Sequence, residues 1–198
     1  MLDVYTIFRL PVSAVVYKML AFRERGAYPG LMHRVVIFGN SGSGKSTLAR
    51  EMADRHSCSL LDLDVLAWEK SDPLLQQPRR RPLADSLAAI DAFLRENESW
   101  VIEGVYSDLL GHALRFASRL IFLNPGVETC AANARNRPWE PHKYPSREAQ
   151  DKNLEMLIRW IEKYPEREDE FSLGSHRALY EGFAGEKIEL TSNDRSGL

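Results

Sequence analysis

The sequence predicts an α/β fold, a mostly parallel sheet covered on both faces by helices, and three observations carry that prediction. Short continuous apolar runs, rich in β-branched and aromatic residues, alternate with longer segments of helical spacing. A glycine-rich turn with the spacing G-x-x-x-x-G-K-S stands between the first apolar run and the first helical segment. The 198 residues, 44% hydrophobic and 27% charged, suffice for one substantial core and are few for two ordinary domains.

The first thirty residues stand apart. Met1 to Met32 contain Leu10-Pro11, a mildly apolar stretch from Val12 to Phe22, and Pro29-Gly30. Asp3 opens the chain, and Arg9, Pro11 and Lys18 interrupt the apolar stretch, so a secretory signal is not expected. Residues 1–31 read either as a short amphipathic helix packed on the domain or as an extension upstream of Met32. Residues 32–198 form the expected domain.

Within it the predicted strands are Val35-Val36-Ile37-Phe38, Leu60-Leu61-Asp62-Leu63, Trp100-Val101-Ile102, Leu120-Ile121-Phe122-Leu123 and Ile188-Glu189-Leu190. Lys45 to His56, Leu83 to Leu94, Leu109 to Ala117 and Glu128 to Asn136 carry helical spacing, and Thr191 to Leu198 reads as a loop. Each parallel crossover needs a dozen or more residues, which these intervals supply. Leu154, Leu157, Ile158, Trp160 and Ile161 recur at helical spacing and read as core; Glu166 to Glu170 reads as a solvated helix end.

Charge and cysteine use exclude several functions. Twenty-six Lys and Arg against 28 Asp and Glu leave a net charge of −2, so no global basic field gathers a polyanion and direct nucleic-acid binding is not expected. The apolar runs are too short and too broken by charge for a membrane span. Cys58 and Cys130 are isolated, which suggests neither a disulfide framework nor a zinc site and makes a reducing, cytoplasmic location the default expectation.

The strongest chemical signal is Gly39-Asn40-Ser41-Gly42-Ser43-Gly44-Lys45-Ser46, followed by Thr47, a full match to the phosphate-binding P-loop. Glycines let successive N–H groups turn inward on phosphate oxygens. Lys45 is placed to reach the β and γ phosphates and Ser46 to ligate Mg²⁺, with the helix N-terminus adding partial positive charge. Lys-Ser directly after the last glycine favours a triphosphate with a metal over a dinucleotide. A P-loop needs a carboxylate near its metal. Asp62 and Asp64 flank Leu63 at the end of the second predicted strand, so strand alternation puts both on one face, to grip a metal-bound water or a substrate hydroxyl. The alternative is that one caps the next helix. Glu103 ends the third strand beside Gly104, where the backbone can turn next to the phosphates; its alternative is a solvated strand-end acid.

Gly39 to Ser46, Leu61-Asp62-Leu63-Asp64 followed by Trp68, Trp100 to Ser107, and Leu120 to Leu123 together resemble the small P-loop kinases related to adenylate and shikimate kinases. Within that group they are most similar to the adenylate-kinase-like "DNA topology modulation" proteins, over roughly Arg34 to Leu190. The resemblance implies a P-loop NTPase fold with a five-stranded parallel sheet ordered 2-3-1-4-5, an acceptor-binding region after the second strand at about 65–98, and an Arg-bearing lid after the fourth at about 135–152. It puts Asp62 and Asp64 where shikimate kinases hold metal and substrate, and Glu103 where adenylate kinases carry an Asp before Gly. Gly104-Val105-Tyr106 departs from the adenylate kinases' Gly-Phe-Pro-Arg, against AMP as acceptor, and the shikimate kinases' run of three glycines is missing.

Guanidinium clamps are the expected partners of a transferring phosphoryl group. Arg79-Arg80-Arg81 falls in the acceptor region and either grips an acceptor anion, with Arg81 and then Arg80 the foremost contacts, or forms a surface basic loop. Arg135 and Arg137 fall at the hinge of the lid, with cations favoured at a helix C-terminus as the alternative. Trp139 either covers adenine or pins the loop, and Tyr106 is a candidate acceptor contact. The expected function is phosphoryl transfer from Mg·ATP to a small acceptor by a catalytic set of Lys45, Asp62, Asp64, Arg135 and Arg137, with Ser46, Asp62 and Glu103 as candidate metal ligands. The alternatives are an ATP-dependent switch or DNA-associated module, and a simple ATPase.

Overall fold

In the computed structural model, β1 (Arg34–Gly39) is the centre of the sheet and its C-terminal end opens directly into the glycine-rich turn. The residues described are 33–69, 79–140 and 145–195. The expected extension 1–31, and parts of the expected acceptor region (70–78) and lid (141–144), lie outside them. The elements that follow β1 are α1 (Lys45–His56), β2 (Ser59–Asp62), α2 (Asp64–Ala67), α3 (Leu83–Glu96), β3 (Trp100–Gly104) and α4 (Ser107–Leu114). Then come β4 (Arg119–Leu123), α5 (Val127–Arg135), α6 (Arg147–Lys152), α7 (Leu154–Glu162), α8 (Leu173–Gly182) and β5 (Glu186–Leu190).

All four strand pairings are parallel and the order is β2-β3-β1-β4-β5, the P-loop order that the resemblance implied. Central strands buried on both faces must be apolar at every position, and β1 is: Val35 and Ile37 pack with Leu48, Ala49 and Met52 of α1, whereas Val36 and Phe38 pack on the other face with Leu109, Leu110 and Ala113 of α4. Period-two alternation divides β3 the same way. Val101 joins the α1 side, Trp100 and Ile102 the α4 side, and Glu103 therefore points toward α1. β5 is the edge strand, with Glu186 and Lys187 exposed at its start.

From β1 the chain passes outward to β2 beyond β3, and β4 later returns on the opposite side of β1. That reversal leaves a crevice at the C-terminal strand ends, where open parallel sheets bind ligands. A third apolar cluster joins Cys130, Ala131 and Ala134 of α5 to Ile158 and Ile161 of α7 beside the crevice.

α8 was not predicted. Gly174 and Gly182 weaken its helical signal, but Ser172 caps it by accepting from the Ser175 N–H at 3.0 Å. Its fully buried His176 packs against Phe38 and Phe122. The Val105 carbonyl only accepts, so His176 Nε2–H donates to it at 2.9 Å and Nδ1 accepts from the Tyr164 hydroxyl at 2.6 Å. Burial pushes the imidazole pKa down to about 4, so it stays neutral and ties the turn after β3 to α8. Cys58 and Cys130 are free thiols, and no described helix is long and apolar enough to cross a membrane.

Candidate active site

The P-loop is fixed from three sides. Gly44 precedes α1 at φ 90° with no side-chain cap, so the first N–H groups of a 12-residue helix are left for a ligand. Asn40 is buried and its Nδ2 donates at 3.1 Å to the Ile161 carbonyl, one of the last of α7. Asn133 of α5 donates to the Gly42 carbonyl at 2.9 Å and exchanges amide hydrogen bonds with Asn193. Arg195 donates to the Gly44 carbonyl at 3.1 Å and pairs with Glu51 of α1 at 3.0 Å. Gly42, at φ 76°, lies so close to α5 that a Cβ would collide with the Cys130 carbonyl, so this position needs glycine twice over.

Lys45 is buried, and its ammonium donates across the loop to the Asn40 carbonyl at 3.1 Å. The Glu103 carboxylate lies within its electrostatic reach, and Asp62 and Asp64 act on Glu103 in turn. Asp62 and Glu103 are register partners on neighbouring strands and share a face of the sheet. The Ser46 hydroxyl lies near the Glu103 carboxylate and favours its charged form. Burial raises the Glu103 pKa above the usual carboxylate value, Asp62 and Asp64 raise it further, and Lys45 and Ser46 oppose them. The alternative of a solvated strand-end acid is overturned: Glu103 is buried.

This carries a stability prediction with a definite sign. An acid whose pKa rises on folding costs stability as pH climbs past its unfolded value, here 4.5. Glu103→Gln is therefore expected to melt higher than wild type at pH 7, by about 2–4 °C for each kcal/mol relieved. The gain should vanish below about pH 4.5, where both states carry a neutral group. A variant that melts at or below wild type at pH 7 would mean that the carboxylate is stabilised where it sits.

Asp62 and Asp64 do lie together at the cleft, but not by strand alternation. β2 ends at Asp62, Leu63 turns into the helical region, and Asp64 is the first residue of α2. Asp62 Oδ1 accepts the Asp64 N–H at 2.9 Å, so the expected capping contact and the expected proximity occur in one turn. Tyr106 fixes Asp64 from the other side: its hydroxyl donates to Asp64 Oδ1 at 2.7 Å and accepts from Trp68 Nε1 at 2.7 Å. Burial and the Asp64 charge push the phenol pKa up, which keeps it a donor.

These groups line one cleft of about 1420 Å³. Of the residues expected from sequence, Ser41, Gly42, Gly44, Lys45, Ser46, Thr47, Asp62, Asp64, Glu103, Gly104, Tyr106 and Arg137 line it. Gly39, Asn40 and Ser43 support the loop from behind and are buried. Arg137 pairs with Glu140 at 3.0 Å, and Trp139 lines the cleft between them in sequence.

Three arginines do not line it. Arg80 is drawn to Asp108 at 2.9 Å and its guanidinium lies 4.7 Å from the centre of the Tyr106 ring, so it braces the aromatic layer rather than facing the cleft. Arg81 joins the same corner through its N–H, which donates to the Ala67 carbonyl. Arg135 is exposed at the end of α5 and borders a separate small hollow with Gln150 and Asp151.

Sequence reading missed others. Trp160, read as core, is 38% exposed and lines the cleft, because α7 turns Ile158 and Ile161 inward, with Leu154 and Leu157 packed against them, and leaves the Trp160 face outward. Glu166 to Glu170 forms a turn after α7, not a helix end. Arg50, Asn133 and Arg195 also line the cleft. No spacing rule marks them; for Arg50 alone, the helical step of four from Ser46 was a usable signal.

An anion fits the uncapped helix N-terminus and the Lys45 ammonium. Among the described residues no group of three or more His, Cys, Asp or Glu is arranged to hold a metal by itself. A cation that takes one or two carboxylates and completes its shell with phosphate and water suits Ser46, Asp62 and Glu103, and the raised Glu103 pKa marks a place where positive charge is wanted.

The sequence model of one family, described as an AAA domain, matches residues 35–155, more than half of the chain. Among solved structures, a gluconokinase from Sinorhizobium meliloti 1021 is similar over 81% of this chain and 83% of its own, at 19% identity and a TM-score of 0.46. A sugar kinase from Janibacter sp. HTCC2649 is similar over 81% and 85%, at 14% identity and a TM-score of 0.42. A shikimate kinase from Acinetobacter baumannii, in complex with shikimate, is similar over 80% and 84%, at 16% identity and a TM-score of 0.45. No curated protein matches the chain.

Proposed function

The chain belongs to the AAA domain family, and from that premise we propose that it is a kinase, transferring the γ-phosphoryl group of Mg·ATP to the hydroxyl of a small acceptor. The observation that carries this reading is Asp64. It shares the cleft with Lys45, is held by Tyr106, and stands at the junction of the phosphate site with an aromatic compartment that a nucleotide switch has no evident need for.

The roles divide by position. The glycine-rich turn and the α1 N-terminus cradle the phosphates, and Lys45 exchanges the Asn40 carbonyl for phosphate oxygens. Ser46, Asp62 and Glu103 would hold Mg²⁺, which would supply charge neutralisation on the phosphates. Asp64 orients the acceptor hydroxyl and takes its proton while the acceptor oxygen forms a bond to the γ-phosphorus. The bond from the γ-phosphorus to the bridging oxygen breaks, its electron pair stays on ADP, and the proton passes from Asp64 to solvent. Arg137, on the lid side, meets charge that develops on the transferring group. The resemblance to the shikimate kinases, which puts Asp62 and Asp64 where those enzymes hold metal and substrate, supports this assignment.

The test is a screen of the full chain with Mg·ATP against alcohols, sugars, nucleosides and nucleoside monophosphates, reading ADP release. An acceptor that stimulates release above the basal rate supports the reading. Equal release with every acceptor and with none would leave a simple ATPase.

A further inference from the structure

We propose that the acceptor is an uncharged, ring-bearing alcohol held by stacking, not an anion held by arginines; this rests on the kinase reading and names the substrate class of the same site. Trp68, Tyr106, Phe171 and Trp160 form one continuous aromatic wall. Trp68 meets Tyr106 edge-on at 6.4 Å, Tyr106 meets Phe171 at 5.4 Å, and Phe171 meets Trp160 at 5.3 Å. All four line the cleft, and the wall starts at Asp64 through the Tyr106 hydroxyl. Exposed large apolar side chains usually scatter, yet Val65, Trp68, Trp139 and Trp160 all border this one cleft.

The described cations beside the wall do not line the cleft. Arg80 pairs with Asp108, with its guanidinium within 5.7 Å of the ring centres of Trp68, Tyr106 and Phe171. Arg167 pairs with Asp169 and lies 3.3 Å from the centre of the Trp160 ring. Arg79 is exposed and lies 3.9 Å from Glu69. None of these three lines the cleft. The cations among the described residues that do line it, Lys45, Arg50, Arg137 and Arg195, stand on α1, after α5 or after β5, at the nucleotide end. Near Asp64 an acceptor thus meets ring faces and carboxylates. An acceptor phosphate or carboxylate there would face Asp62 and Asp64, and among the described residues the guanidinium groups that line the cleft stand at its nucleotide end, whereas a ring with a hydroxyl at its edge finds both a stacking surface and a proton acceptor.

The experiment uses the full chain with Mg·ATP and three acceptor sets: nucleosides and aryl glycosides; open-chain polyols; nucleoside monophosphates and sugar acids. It measures acceptor-stimulated ADP release, and binding by tryptophan fluorescence. The ring alcohols should be preferred. Trp160→Ala should raise their KM by about 5- to 100-fold, the range of a lost stacking contact, while Trp160→Phe restores most of it. An unchanged KM for ATP shows that the variant is folded. Preference for anionic acceptors, with a KM insensitive to Trp160 and raised by Arg50→Ala, overturns the proposal and leaves the kinase reading standing. Ring alcohols that bind in a Trp160-dependent way without stimulating ADP release uphold the ring site and overturn the kinase reading. Failure of ring alcohols both to bind and to react overturns the proposal.

Discussion

Replacing Lys45 with alanine is expected to lower nucleotide turnover by about 10²- to 10³-fold, the loss seen when one preorganised donor to a developing charge is removed. Lys45 is the buried cation at the mouth of the P-loop, with its ammonium 3.1 Å from the Asn40 carbonyl and the Glu103 carboxylate within electrostatic reach. The substitution removes that charge and leaves Asp62, Asp64 and Glu103 facing one another, so phosphate binding should suffer as much as transfer. The lost hydrogen bond to Asn40 itself costs about 1 kcal/mol of stability, and Glu103, deprived of its cation, can take up a proton instead of remaining a buried charge, so a folded but inactive protein is the expected result. Lys45→Ala protein with wild-type turnover would remove the P-loop from the mechanism.

Asp64→Asn is expected to lower kcat by about 10²- to 10⁴-fold, the usual contribution of a positioned base, with the KM for ATP little changed. The substitution preserves size, and the new amide oxygen can still accept from Tyr106, so packing is retained while the proton acceptor is lost. Asp62→Asn should differ in kind. Asp62 caps the α2 turn and neighbours Glu103 across the sheet, so its loss should raise the Mg²⁺ concentration needed for activity. Two variants with the same Mg²⁺ dependence would contradict this division between the two acids.

The parts of the fold that were legible in the sequence are those where burial dictates composition. Strands buried on both faces had to be apolar runs, and β1, β3 and β4 stand where those runs are, lengthened by one or two residues. α1 has its predicted bounds because the glycines before it and Ser57, left-handed after it, punctuate the chain. α2 and α8 were not legible. A four-residue helix has no periodicity to read, and α8 carries two glycines that its packing overrides.

The site divides similarly. The P-loop and its acids are local in sequence and were readable, including the pair Asp62 and Asp64, although the reason for their proximity was a turn. The arginines were readable as charges but not as contacts, because the partner of Arg80 is 28 residues away, at Asp108. Trp160 shows the limit of periodicity. Its neighbours Ile158 and Ile161 are core, but a helix turns about 100° per residue, and a cleft beside α7 takes the ring that the core does not.

The central claim, that the cleft moves a phosphoryl group to a hydroxyl, is tested most directly by a single turnover with γ-labelled ATP and excess of the best acceptor from the screen. The label should appear in a phosphate ester of the acceptor, equal in amount to the ADP formed, with the ester signal lost in Asp64→Asn. Label recovered only as inorganic phosphate, at the same rate with and without acceptor, would contradict the account.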